Sequence, residues 1–233
     1  MIPLSLPEPS NSKPRHFTWL WLAICILSAV LFAEKALSLS AAWRETSAAR
    51  AREPVAVSVG PVRIRLPENL IASQQQRRLS RSGNARFGSL RLALHWPDLS
   101  AMEEYASVPE GSAILVDLES NPGRESLRAR LEPFYRRLAR GGEQPGPDGL
   151  KILTLSARAA PATDLIAHDP SIQGGFITRC RKETPAGTAV CHRAIGITPG
   201  LELRYRFDQT LLPDWRRLDA ALYARARTFL VNQ

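Results

Sequence analysis

Polar and apolar positions divide the chain into zones of different period. Phe17 to Ala33 carries no charge, and after Glu34 and Lys35 the apolar character resumes at Ala36, Leu37 and Leu39. A helix from Phe17 to about Leu39 is long enough to span a hydrocarbon layer roughly 30 Å thick. Trp19 and Trp21 stand at one end and Trp43 beyond the other, where indole rings favour the membrane interface. From Val55 the period becomes two. Val55, Val57 and Val59 alternate, and past Gly60-Pro61 the series Val62, Ile64, Leu66 alternates with Arg63 and Arg65, the pattern of half-buried strands. Leu90, Leu92, Leu94 and Trp96 repeat it, Ala113 to Leu118 suits a central strand, and Lys151 to Ser156 adds another.

Helical spacing appears twice in the remainder. Leu127, Leu131, Tyr135 and Leu138 share one face, with arginines on the rest and Pro133 inside, which predicts a kink or a helix beginning at Pro133. Leu211, Trp215, Leu218, Leu222 and Phe229 form the stripe of a C-terminal helix, with Thr210 as its cap and Pro213 in its first turn. Between the two helices, Phe176 to Arg181 and Ala189 to Ile197 flank the turn signal Thr184 to Gly187, and Pro199-Gly200 turns into Leu201 to Phe207. These make a three-stranded meander over which the last helix should bury Trp215. Folding the first hairpin about its turn sets Cys180 opposite Cys191, close enough for a disulfide. Asn121-Pro122-Gly123 reads as a turn and Gly141 to Gly149 as a linker. Gln74 to Gly88 is polar and reads as an exposed mobile loop carrying Arg77, Arg78, Arg81 and Arg86. The fold class is α+β: an N-terminal transmembrane helix, then a mainly antiparallel sheet with two amphipathic helices, ending in the meander and a C-terminal helix.

The chain divides into a tail (1–16), a transmembrane helix (17–39), a stalk (40–54) and a soluble domain (55–233). A cleaved signal peptide would also place basic residues before an apolar run, but this run exceeds the usual h-region of about 7–15 residues, so an uncleaved anchor is expected. Hydrophobic residues at 44% allow a packed core. Lys13, Arg15 and Lys35 nearly balance Glu8 and Glu34, so almost all of the +9 charge belongs to the domain. With Cys25 in the anchor, Cys180 and Cys191 are an isolated pair, which fits an oxidising compartment. The expected location is a bacterial inner membrane, with the tail cytoplasmic and the domain periplasmic.

The stretches Cys180-Arg181, Cys191-His192-Arg193, Gly200 to Phe207 and Leu212 to Leu218 resemble a group of single-pass envelope proteins of alphaproteobacteria, with weaker echoes at Asn69 to Ile71 and His95 to Asp98. The resemblance carries no activity, so no functional residue is transferred from it.

Chemistry is sparse. Of four histidines, His16 lies in the tail, His95 beside Trp96, His168 before Asp169-Pro170 in an expected loop and His192 after Cys191. Cys191 and His192, adjacent on a strand, point to opposite faces, against a zinc site. No nucleophile elbow, Ser-x-x-Lys or Cys-x-x-Cys is present, nor a glycine-rich phosphate loop. The weak candidate polar site is His168 with Asp164 and Asp169. The aromatics fall on apolar faces, against nucleic acid. Neither metal nor cofactor is expected. The reading is a noncatalytic tethered module that contacts a protein partner or anionic headgroups through Arg77, Arg78, Arg81 and Arg86. The competing classes are an envelope hydrolase with a site invisible in sequence and a small-ligand sensor.

Overall fold

The computed structural model describes residues 14–102, 111–120, 126–155, 164–171, 175–182 and 188–231. The chain forms two units, residues 1–50 and 51–233. The first is the helix α1 (Pro14–Ala51), whose stretch Trp19–Leu37 is long and apolar enough to cross a membrane. At a rise of about 1.5 Å per residue its 19 residues reach about 28 Å. None of that stretch is buried within the protein. A signal sequence shares these properties.

The second unit is α+β. Strands β1 (Pro54–Val59) and β2 (Val62–Pro67) form a hairpin in the register Val59↔Val62. The turn requires Gly60: its φ is +55°, and a Cβ there would overlap the Ser120 side chain. A two-residue strand β3 (Arg86–Phe87) pairs parallel to β1. Between them Gln74–Ser80 forms the short helix α2, capped by the Ser73 hydroxyl, which accepts from Gln76 N. The expected mobile loop from Gln74 to Gly88 is therefore a capped helical turn followed by a strand. Its polar composition reflects exposure rather than lack of order.

The large sheet has nine strands, and every neighbouring pair is antiparallel. They are β4 (Ser89–His95), β5 (Ser100–Ala101), β6 (Ala113–Glu119), β7 (Ala139–Pro145), β8 (Lys151–Leu155), β9 (Leu165–His168), β10 (Ile177–Lys182), β11 (Ala189–Thr198) and β12 (Leu201–Asp208). Their order is β5-β4-β6-β12-β11-β10-β9-β8-β7. The chain thus leaves β6, crosses the sheet to its far edge, and returns as a six-strand meander until β12 closes against β6. The expected meander is its last half.

Two segments expected to be irregular are strands. The linker at Gly141 to Gly149 contains the exposed edge strand β7, bulged where Gly141 and Gly142 adopt positive φ and the register shifts between Arg140 and Gln144. The loop holding His168 contains strand β9. The turns at Asn121-Pro122-Gly123 and Thr184 to Gly187, and the tail before Pro14, lie outside the described residues.

One face of the sheet carries the main core. On β12, Leu201, Leu203, Tyr205 and Phe207 are buried in alternation, and Leu90, Leu92, Ile114 and Val116 extend that layer across β4 and β6. The hairpin β1–β2 and helix α4 (Trp215–Thr228) cover it, the helix contributing Trp215, Leu218, Leu222 and Ala226. Arg65 N donates to Phe229 O at 2.7 Å, joining the end of this helix to β2. Thr210 is not the helix cap: Asp208 caps a 3-10 turn (Gln209–Asp214) by accepting from Thr210 N, and α4 follows it. Cys180 and Cys191 pair directly in register, are disulfide-bonded and fully buried in this core.

Among the described residues, the opposite face is covered near β8–β10. There Leu131–Tyr135 forms a π-helical turn continued by the helical turn α3 (Arg136–Leu138), seating Leu131 and Tyr135 on Leu153, Leu155, Ile166 and Ile177. Pro133 has no N–H for the regular ladder, and both Phe134 N and Tyr135 N donate to Arg130 O. The kink expected at Pro133 takes this form.

Candidate functional site

Alternation that buries the odd residues of β12 sends Glu202, Arg204 and Arg206 to the open face, with Arg91 from β4 and Asp117 and Glu119 from β6 beside them. Glu202 and Glu119 stand directly opposite each other. Arg204 bridges these like charges, its Nε lying 2.6 Å from Glu202 Oε1 and 3.2 Å from Glu119 Oε2. Arg91 Nε reaches Asp117 Oδ1 at 2.8 Å, and Arg206 Nη2 lies 3.8 Å from Asp117 Oδ2. Exposed pairs of this kind add little stability each, but together they hold the long arginine side chains over the sheet.

A cleft of about 1140 Å³ opens between this charged floor and the segment from Ser126 to Tyr135. Eight arginines and three carboxylates line it. The cleft follows a split in the sheet. β10 and β11 pair from Lys182↔Ala189 to Arg179↔His192, after which β10 stays with β9 to Ile177↔His168 and β11 with β12 to Thr198↔Leu201. Where the ladder stops, arginines take up carbonyls: Arg128 Nη2 donates to Asp169 O at 3.2 Å and Phe176 O at 3.1 Å, and Arg193 Nη1 donates to Ala194 O at 2.8 Å. Arg193 is neutralised by Asp219 of α4, at 3.3 Å. Among the described residues Arg128 makes no ion pair within 4 Å and its Nε is buried without a hydrogen-bond partner, although Asp169 and Glu132 attract it from farther off. Burial, and next the neighbouring charge of Arg193, lower its pKa from the ordinary arginine value.

The residues named from sequence are used in other ways. His168 is 2% exposed and its Nε2 lies 2.8 Å from Glu143 Oε1, which also takes Arg136 Nη2 at 2.8 Å. This chain of contacts pins the bulge of β7 to the sheet. Asp164, fully buried, pairs with Arg179 and lies 3.6 Å from Arg181. Asp169 Oδ1 accepts from Ser171 N at 2.9 Å and Ser171 Oγ at 2.6 Å, and those bonds lower its pKa against the opposing effect of burial. Each member of the trio is thus engaged with a different partner. No group of three or more His, Cys, Asp and Glu suited to a metal occurs among the described residues.

Of the four arginines on the segment from α2 to β3, two are tied into the fold. Arg77 Nε donates to Ile71 O, and Arg81 pairs at 2.7 Å with Glu68, which is 3% exposed. Arg78 and Arg86 are exposed. The cleft arginines escaped notice in sequence because they come from five separate segments. Two signs were legible: the outward alternation of Arg204 and Arg206, and the arginines, Arg128 and Arg130 among them, around the apolar stripe from Leu127 to Leu138.

No family model matches the chain, and no curated protein does. The fold is similar to a solved structure, that of an immunity protein of the type IV secretion system of Stenotrophomonas maltophilia. The TM-score is 0.51, covering 78% of this chain and 94% of that one at 16% sequence identity. At that identity the likeness is one of fold.

Proposed function

We propose that the chain is a membrane-tethered, periplasmic protein-binding module of the immunity type, which acts by occupying a protein partner rather than by catalysis. The observation that carries the reading is the open, charged face of the nine-stranded sheet, on a fold similar to that of an immunity protein over 94% of its length. A charged sheet face beside a helical wall is a kind of surface that a protein can dock on, interfaces of that class taking about 800 Å² per partner. Its charged lining differs from the mostly apolar pockets of small-ligand sensors. The anchor α1 would hold the module at the membrane, in reach of a protein partner there.

Site-specific photo-crosslinking in intact cells tests this. A photoreactive residue at Ala194 or Arg130, both in the cleft, should yield a discrete crosslinked protein. One at Asp214, before α4, should not. Crosslinks to lipid alone, or equal protein capture from all three positions, would defeat the reading.

A further inference from the structure

Arg128 is held in the cleft by backbone carbonyls rather than by a hydrogen-bonded carboxylate among the described residues. Its fork is occupied on one side by the carbonyls of Asp169 and Phe176, while Nε remains buried without a partner among the described residues. Its charged neighbours are of both signs: Arg193 and Arg136 repel it and Asp169 and Glu132 attract it, Arg193 acting most strongly. A group held in this way lacks a carboxylate that would supply both an acceptor and the opposite charge. Directly across the split, β11 presents Ala194 and Gly196 to solvent, and no atom lies within 4 Å of a Cβ built on Gly196. The floor beside Arg128 is therefore uncluttered, with Arg204 opposite Ala194 in register.

We infer that this split is the docking seat for an acidic segment of the partner protein, one of whose carboxylates lodges at Arg128. The inference rests on the protein-binding reading and adds the chemistry of the partner. Charge layout favours a protein segment over a polyphosphate or a lipid surface. Asp117, Glu119 and Glu202 share the floor, confined to β6 and β12, and would repel a ligand anionic along its whole length. A protein segment can turn carboxylates toward Arg128 and neutral or basic side chains toward Glu202. The seat is also recessed between the sheet and the Ser126 to Tyr135 wall, a shape that admits a loop more readily than a bilayer.

The test uses the full chain in nonionic detergent and a fluorescein-labelled peptide of alternating Glu and Gly, read by anisotropy. Its isostere of alternating Gln and Gly is the control. The acidic peptide should bind and the Gln peptide should not, with affinity falling as salt rises. Arg128→Gln should weaken binding by about tenfold or more, since it leaves a desolvated charge unmatched. Because Arg128 also holds two strand-end carbonyls, a second variant spares the frame. Ala194→Glu sets a competing carboxylate on the exposed floor and should cost a similar factor, whereas Ala194→Gln should change binding by about twofold or less. Equal binding of both peptides would overturn the inference. So would displacement of the acidic peptide by pyrophosphate or monomeric short-chain phosphatidylglycerol at lower concentration than by unlabelled peptide, which would mark a phosphate site. A loss that follows Arg78→Glu with Arg86→Glu instead would move the contact to the α2 segment and overturn it too. Protein crosslinks unaffected by Ala194→Glu would leave the module a protein binder while refuting the acidic seat. Peptide binding without any protein crosslink would do the reverse.

Discussion

Tyr205 alternates inward with Leu203 and Phe207, yet it carries a hydroxyl into a site that is 1% exposed. Such a group needs a partner. It donates to Asp219 Oδ1 at 2.7 Å, the carboxylate that also receives Arg193, so one aspartate ties β11, β12 and α4 together. Burial first, and then the charge of Asp219, raise the phenol well above its ordinary pKa. Tyr205→Phe should destabilise the fold by about 1–3 kcal/mol, the range for a hydrogen bond to a charged group. Urea unfolding followed by tryptophan fluorescence would measure it. A pH signature accompanies the loss. Below about pH 10 the phenol is protonated in both states and its contribution is complete. Above that value the unfolded state sheds a proton that the folded state keeps, so stability declines as pH rises. The Phe variant should lack this alkaline component. Unchanged midpoints at pH 7 and pH 11 would show that the bond adds nothing. The inward stripe holding Tyr205 was plain in the sequence. Asp219 was not, because it sits beside the apolar stripe of α4 and only the crossing of helix over sheet brings it to the phenol.

Among the elements, the β10–β11 hairpin was the most legible, since alternation and a turn signal together set its register and thereby matched Cys180 with Cys191. The bridge lies in the main core and is fully buried, which argues for a structural role and against thiol exchange at the surface. Replacing both cysteines by alanine should lower the melting temperature, with a loss of about 2–3 kcal/mol for so short a loop. Acidic-peptide binding below the melt should stay unchanged. Mass spectrometry of the nonreduced protein should find the two residues linked, and free thiols in most molecules would refute the bridge. Elements lacking such paired signals were missed for physical reasons. Strand β9 is four residues long, too short for a period, and is ordered by neighbours on both sides. Strand β7 contains Gly141 and Gly142 and is exposed along most of its length, so neither propensity nor alternation marks it. Helix α2 has one apolar residue, Leu79, and that residue is exposed. It is held by the Ser73 cap, by Gln76 Nε2 donating to Ser89 O at 2.8 Å, and by the adjoining Arg81–Glu68 pair. The cleft belongs to the same class. Its arginines converge because the β6-to-β7 connection crosses the open face, a consequence of strand order that no local pattern encodes.

For the whole molecule, the compartment decides whether the proposed partner can be met at all. Charges flanking α1 do not orient it: Lys13 and Arg15 precede the apolar stretch, while Lys35, Arg44, Arg50 and Arg52 follow within or soon after it. Large domains also cross membranes with little regard to their own charge. The orienting argument comes from the core. A disulfide joining two buried strands persists in an oxidising compartment and is kept from forming in a reducing cytosol, and nothing else in the domain demands one compartment over the other. Alkaline phosphatase, which needs its own disulfides to be active, should therefore be active when fused after Gln233, and a fluorescent reporter that matures only in the cytoplasm should be dark at the same site. The opposite pair of results at normal expression would turn the domain inward. It would leave Cys180 and Cys191 reduced in the cell, and with them would go the case for an envelope partner, although the acidic seat at Arg128 could still be tested on its own terms with the purified chain.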